Sequence, residues 1–316
     1  MDLLFWGSCF RKVNWDCSLP VAGNMAKEIE ELGVLPGYRC NFSCAHCLIV
    51  PKLSDTLSGA EISVLAETLA QNKIGSIIIA GGEPTLHIPV INNLLRGIKN
   101  PEKIFITITT NGSFAKNVEV AEATLKRIEH LSKVQLSYDK WHAKFLPFEN
   151  VGHLFLACSN IGVEFSVNMV IESPLDLLLV SKLRAVGDFS VVIQKVISAG
   201  AAESNAISYN FPAFEPEVLG RSCPNLKKPV YLSGRGFALC DLNLPAGSQA
   251  GKMGQKTFAT LGELLESDFH KTMRQYTFGG LLDKFGIDRA TLRPEHSLAC
   301  NLCRHIGRCC SSGSLG

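Results

Sequence analysis

GVLPGYRCNFSCAHC, residues 33–47, runs from an apolar segment into three cysteines and a histidine packed within eight residues. Cys40, Cys44 and Cys47 are spaced C-x3-C-x2-C. Three thiolates on one tight loop can hold three irons of a [4Fe–4S] cube, which leaves the fourth iron open to a small molecule. A structural zinc would want a fourth cysteine or histidine nearby. His46 could serve, although its place between two ligands makes chelation awkward. A disulfide cannot use three cysteines evenly, and unrelated thiols are the remaining reading.

Working outward, β-prone runs recur after this segment: GSIIIA at 75–80, IFITITT at 104–110, VQLSYD at 134–139, VEFSVNMVI at 163–171 and SVVIQKVI at 190–197. Segments of helical periodicity separate them. In the first, Ser58 and Glu61 form a capping box ahead of Ile62, Leu65, Ala66 and Leu69 at i, i+3, i+4, i+7. Pro36 and Gly37 make the run before the cysteines an irregular strand. Six strands alternating with helices predict an α/β fold on a parallel sheet. Six units are too few for a closed eight-fold barrel, so a partial (β/α)6 barrel of the TIM type is expected. In such a barrel the loops after the strands form the active face, and the cysteines lie on the first of them.

After Gly200 the rhythm stops. PVYLSGRGFALC (230–240 with Pro229) reads as a hairpin turning near Gly234–Gly236, and TLGELLESDFHKTMRQY as a helix. A second cysteine group gathers here: Cys223, Cys240, Cys300, Cys303, Cys309 and Cys310. Three parts follow: an N-terminal extension at 1–30, the barrel at 31–204, and a small cysteine-rich domain at 205–316.

Composition excludes several classes. The net charge is +2, so no strong basic field argues for nucleic acid. No apolar run is long enough to span a membrane. MDLLFWGSCF starts with Asp2 after the Met and lacks a basic leading segment, so it is a poor signal peptide. A reducing, cytoplasmic location is the default, where twelve cysteines point to metal or redox chemistry rather than disulfides.

The motifs in order resemble those of the radical S-adenosylmethionine (SAM) superfamily. CNFSCAHC carries an aromatic-like residue before its last cysteine. AGGEPTLH follows the second strand, TTNG the third, and LSYD ends the fourth. The resemblance covers residues 34–200. It implies a [4Fe–4S] cluster on Cys40, Cys44 and Cys47 that binds SAM, and reductive SAM cleavage to a 5′-deoxyadenosyl radical. It implies that Gly81, Gly82, Glu83 and Pro84 line the SAM amino group, through a carboxylate or a carbonyl. His46 would lie near the adenine, and Ser137 and Asn168 near the ribose or the SAM carboxylate, with Asn111 a weaker candidate. Each has a plainer reading: a helix-terminal acid for Glu83, a solvated loop histidine for His46, strand polar residues for Ser137 and Asn168, a turn for Asn111.

The hairpin between Cys223 and Cys240, followed by C-x2-C-x5-C, resembles the SPASM and Twitch auxiliary-cluster domains of that superfamily. The cysteine count favours one auxiliary [4Fe–4S] cluster on Cys223, Cys240, Cys300 and Cys303, with Cys309 able to replace one; a four-cysteine zinc site is the alternative. Cys158 reads as core, Cys9 and Cys17 have no partner pattern, and Cys309 or Cys310 could donate a hydrogen atom to a substrate radical. Asp139, Lys140 and His142, in the loop after the fourth strand, could touch substrate, or could belong to a solvated loop anchored by Trp141. The resemblance implies an enzyme that modifies a ribosomal peptide, or else dehydrogenates a small molecule such as an amino-sugar. A flavodoxin- or ferredoxin-type electron donor would serve it. A non-catalytic iron–sulfur or zinc protein is the distant alternative.

Overall fold

The computed structural model describes residues 29–50, 52–72, 74–243 and 257–311; most of the expected N-terminal extension, with Cys9 and Cys17, lies outside them. The chain folds as an eight-stranded sheet in the order β6-β5-β4-β3-β2-β1-β7-β8. Its strands are β1 (Leu32–Leu35), β2 (Ser76–Ile79), β3 (Phe105–Thr110), β4 (Lys133–Ser137), β5 (Glu164–Ile171), β6 (Ser190–Lys195), β7 (Val230–Leu232) and β8 (Gly236–Ala238). The first six run parallel and are joined by helices α1 (Gly59–Gln71), α2 (Ile88–Gly97), α3 (Val118–Leu125), α4 (Glu149–Ile161) and α5 (Leu178–Arg184). After β6 come α6 (Ala201–Ser204), then α7 (Leu261–Glu266), α8 (Asp268–Gln275), α9 (Phe278–Lys284) and α10 (Ala299–Ser311). The sheet ends at β6 on one side and β8 on the other, so this is the partial, open barrel expected.

Alternation along the strands sorts the side chains into two layers. Leu32, Val34, Ile77, Ile79, Ile106, Ile108, Val134, Leu136, Val167 and Met169 all point one way and are buried. They meet Leu65 and Leu69 of α1, Ile91, Leu94 and Leu95 of α2, and Val151, Leu154 and Cys158 of α4 in one core. Cys158 is therefore core, as its setting suggested. The intervening positions are polar from β3 onward: Thr107, Thr109, Gln135, Ser137, Ser166 and Asn168. A parallel strand buried on both faces usually carries apolar residues on both. Polar side chains on the inner face mark a lumen built to meet something other than hydrocarbon.

The hairpin forms where its glycines placed it, with Gly234 and Gly236 at φ 71° and 101°. It does not stand apart from the barrel. β7 pairs in parallel with β1, Gly33 facing Val230. Glu61 explains part of this docking. Its carboxylate accepts from Ser58 N–H and Oγ as the expected cap, and its other oxygen accepts from Gly234 N–H at 2.7 Å and Tyr231 OH at 3.3 Å. One core includes Leu32 of β1 and Leu302 and Ile306 of α10, so it crosses the boundary drawn at residue 204.

The helix expected over TLGELLESDFHKTMRQY is two helices. Ser267 takes an extended conformation (φ −64°, ψ 148°), ends α7 and caps α8 by accepting from His270 N–H at 3.1 Å. A serine followed by aspartate satisfies the start of a helix better than its middle. Among the described residues no helix is long and apolar enough to cross a membrane.

Candidate active site

β1 delivers the cysteine loop to the C-terminal edge of the sheet, and the loop after β2 receives it. Gly82 N–H donates to Gly37 C=O at 3.0 Å and Glu83 N–H to Arg39 C=O at 2.7 Å. The two glycines admit this approach. A Cβ at Gly82 would sit 2.0 Å from Arg39 O, and one at Gly81, whose φ is +124°, 2.5 Å from Gly37 O. What these glycines let come close is the chain's own backbone, the strand that carries Cys40. Pro84 is buried and starts the 3-10 turn Pro84–His87.

Glu83 is wholly buried. Its Oε1 accepts from Thr85 N–H (3.1 Å), Thr85 Oγ1 (2.6 Å) and Thr110 Oγ1 (2.7 Å), and its Oε2 from Asn111 N–H (2.8 Å). Burial raises its pKa above the usual carboxylate value, against the pull of these four bonds. Glu83 thus fastens the end of β2 to the end of β3. Asn111 continues the chain of contacts: its Nδ2 donates to Asn41 Oδ1 at 2.8 Å and approaches Cys40 Sγ at 3.7 Å. Asn41 in turn donates to Ser113 Oγ at 2.7 Å. Thr85, Thr110, Asn41 and Ser113 were not singled out in the sequence. Hydroxyls two residues after an acid, or at a strand end, carry no signal until the fold aligns them.

The three loop thiols are half-buried. Burial, with the nearby Cys47, Asp139 and Cys40, pushes Cys44 up to about 12, and burial raises Cys47 too. Thiols that resist ionisation alone and repel one another once ionised are a donor set that a cationic metal centre would stabilise. Among the described residues neither cysteine group brings three ligand atoms within 4.8 Å of one another. Thiolates on a single zinc lie about 3.8 Å apart.

His46 is not solvated. It is buried, stacks on Trp141 with ring centroids 4.4 Å apart, and places Nε2 3.3 Å from Asp139 Oδ2. Its Nδ1 has no hydrogen-bond partner among the described residues. Asp139, read as a substrate contact or as part of a solvated loop, is 1% exposed and turned inward. Oδ1 accepts from Trp141 N–H (2.9 Å) and His142 N–H (3.0 Å), while Oδ2 lies 2.9 Å from His142 Nδ1 and accepts from Val170 N–H (3.4 Å). The two histidines hold its pKa well below the usual carboxylate range despite burial, which opposes them. His142, also expected against substrate, is engaged in the same network. Lys140 is held by Glu172 at 2.6 Å and Asp176 at 3.2 Å, over the Trp141 ring. Trp141, 4% exposed, is the anchor of this loop.

Ser137 and Asn168 face each other in register across β4 and β5. Asn168 Oδ1 and Ser166 Oγ, both on the lumen side, have no hydrogen-bond partner among the described residues. Beyond them the lumen opens: Val192, opposite Asn168 on β6, is 39% exposed.

In the second group, Cys223 lies within electrostatic reach of Cys240, Cys300 and Cys303, and Cys300 within reach of Cys240 and Cys303. Burial raises all four, and Cys300 and Cys303 reach about 12, each lifted further by Cys223. Asp241, beside Cys240, lies in the same neighbourhood. Cys309 sits half a helix turn round from Cys300 at 3.6 residues per turn, with Sγ 3.7 Å from His305 Nε2. Cys310 packs into the core.

An open parallel barrel with a three-cysteine loop after β1, braced by a buried glutamate after β2, fits the radical SAM class of enzymes. The comparisons agree. Residues 34–155 match the model of the Radical SAM superfamily. It is 28% identical over 155 residues to a Methanocaldococcus jannaschii protein provisionally named a glycyl-radical enzyme activating enzyme, covering 48% of this chain and 53% of that one. It is 30% identical over 94 residues to a Saccharolobus solfataricus protein provisionally named a GTP 3′,8-cyclase, covering 29% and 30%. The chain thus spans about half or less of these relatives. Its fold is similar to that of anSMEcpe, solved with AdoMet and a Cp18Cys peptide, at a TM-score of 0.52 and 15% identity, over 87% of this chain and 95% of that one. Proteins of this class bind a [4Fe–4S] cluster and SAM, and the cysteine-rich C-terminal region fits an auxiliary cluster.

Proposed function

We propose that Cys40, Cys44 and Cys47 hold the SAM-binding cluster and that the substrate is a peptide segment lying over the open edge of the lumen. When bound, the cluster and SAM supply a 5′-deoxyadenosyl radical that takes a hydrogen atom from substrate. The chain's own part is placement. Glu83, Asn111 and Asn41 fix the cysteine loop against β2 and β3. Asp139 fixes the same loop against β4 and β5 through His46, which leaves the His46 ring and Trp141 as a flat, water-excluding wall. With both Glu83 oxygens occupied, the amino group of SAM falls to backbone carbonyls of the 81–84 loop. Ser137 and Asn168 offer hydroxyl and amide groups to its ribose or carboxylate.

The observation that carries the peptide reading is the lumen edge. Val192 on the lumen side of β6 is 39% exposed, and Leu175 and Leu178, 75% and 72% exposed in the turn and helix after β5, line a cavity of about 260 Å³ with Asp139, Lys140 and Val170. Isolated surface leucines are ordinary, but a pair set beside charged groups in one cavity suits an extended chain whose side chains alternate in character. A solved protein of the same fold carries AdoMet together with a peptide. Cys223, Cys240, Cys300 and Cys303 would hold one auxiliary cluster in this proposal, and it would supply a one-electron acceptor there. A flavodoxin- or ferredoxin-type protein supplies electrons.

The test is deuterium transfer. The reduced enzyme is incubated with SAM and fractions of a fully deuterated cell extract, and label in 5′-deoxyadenosine is measured. Label from the peptide fraction, abolished by prior protease digestion, supports the proposal. Label arising only from the protease-resistant small-molecule fraction refutes it and favours a small-molecule dehydrogenase.

A further inference from the structure

A second group of ionisable side chains lies on the side of α10 away from Cys300 and Cys303. A cavity of about 520 Å³ is lined there by Thr291, Arg293, His296, His305 and Arg308, and Glu295 is the one acid in the lining. The arrangement is held in place. His296 is buried, and its Nδ1 accepts from Arg293 N–H at 3.0 Å, which puts the proton of the neutral ring on Nε2 as a donor. The His305 ring lies over it with centroids 4.3 Å apart, and His305 Nε2 is 3.2 Å from Thr291 Oγ1. Arg308 and Arg304 share a single carboxylate, Glu203 of α6, so that trio keeps one positive charge. Arg293 makes no ion pair among the described residues. Burial, His305, Arg293 and Arg308 all push the pKa of His296 down, as expected where positive charge converges. The Thr291 hydroxyl donates to Asp288 C=O at 2.7 Å, so the donors turned to the cavity are the Arg293 guanidinium, the His296 Nε2–H and the part of Arg308 that Glu203 leaves, against the Glu295 carboxylate.

We infer that this cavity binds the phosphoryl group of a phosphorylated small molecule. Guanidinium forks match phosphate oxygens, and donors on several sides match a tetrahedral anion better than a planar one. The volume falls in the range of small-molecule sites and exceeds what inorganic phosphate fills, so the ligand carries an organic part. This site uses none of the residues placed around the SAM-binding loop, and α6 separates the two. One side of α6 receives Cys47 C=O and Ala45 C=O, and its Glu203 holds Arg304 and Arg308.

Titration calorimetry on the anaerobically reconstituted full chain tests this, with ribose 5-phosphate and inorganic phosphate as probes at constant ionic strength. The ester binds, and binds more tightly than inorganic phosphate. Arg293→Gln weakens it about tenfold or more, the loss expected for a charge-assisted contact. Lys126→Gln, on the exposed face of α3, leaves it unchanged. No binding of the ester, equal binding in Arg293→Gln, or inorganic phosphate binding as tightly as the ester overturns the inference. If Arg293→Gln loses iron or melts early, Arg308→Gln decides by the same criterion.

Discussion

Replacing Glu83 with glutamine removes one acceptor oxygen from a site where every partner is a donor. The side chain keeps its shape, and its amide oxygen takes the Oε1 position, with Thr85 N–H, Thr85 Oγ1 and Thr110 Oγ1 around it. Its NH2 then faces Asn111 N–H, which held Oε2 at 2.8 Å. Two donors now oppose each other in a site with no water access, since Glu83 is 0% exposed. A lost bond to a charged group costs about 1.5–3 kcal/mol, and a buried donor left unpaired adds about 1–3 kcal/mol. Allowing for overlap, about 2–4 kcal/mol of stability disappears. Reconstituted Glu83→Gln should melt several degrees below wild type, by about 2–4 °C per kcal/mol. Because Asn111 also reaches Asn41 and Cys40, iron content should fall as well. Anaerobic thermal melts and iron analysis of the two proteins measure this. An unchanged melting temperature with weakened SAM binding would refute the bracing role and show that Glu83 meets SAM directly.

Gly82→Ala should lose most of the iron of the first site, because a Cβ 2.0 Å from Arg39 O meets backbone that cannot step aside; iron analysis showing full loading would contradict the packing described. Cys303→Ala should hold about four irons where wild type holds about eight, whereas Cys309→Ala should hold as many as wild type; the reverse would make Cys309 the ligand. Burial holds the pKa values of His87 and His296 below 6.5, so each takes up a proton more readily unfolded than folded. Stability should therefore fall as pH drops through 6.5 and level off below the folded values, and denaturation midpoints at pH 7.5 and 5.5 check the sign. Asp139 runs the other way: its pKa is depressed, so its contribution is present above about 4, its unfolded value, and is lost only under stronger acid.

Strand order and helix positions were legible because hydrophobic periodicity is a local property. Four of the six barrel strands fall within the marked runs, β1 and β4 start one residue before theirs, and the Ser58–Glu61 cap is where its motif placed it. The pairing of β7 with β1 was not legible, since it joins segments some 200 residues apart and three-residue strands carry no register signal. Cys40, Cys44 and Cys47 group by spacing, whereas the set Cys223, Cys240, Cys300 and Cys303 follows from the resemblance to auxiliary-cluster domains. The work of Asp139 and His46 could not: a carboxylate after a strand looks the same whether it faces solvent or, as here, turns back onto a loop a hundred residues earlier. Ser267 was a missed boundary with a visible cue, a capping serine before aspartate inside an otherwise helical run.

The central claim is that the Cys40, Cys44 and Cys47 loop is built for SAM cleavage. Production of 5′-deoxyadenosine from SAM by the iron-loaded protein under a strong reductant tests it most directly, compared with the Cys40/Cys44/Cys47→Ala variant. The account predicts 5′-deoxyadenosine from the wild type and none from the variant, which retains the iron of the second group. A fully loaded wild type that neither binds SAM nor forms 5′-deoxyadenosine, or a variant that forms as much as wild type, would contradict it.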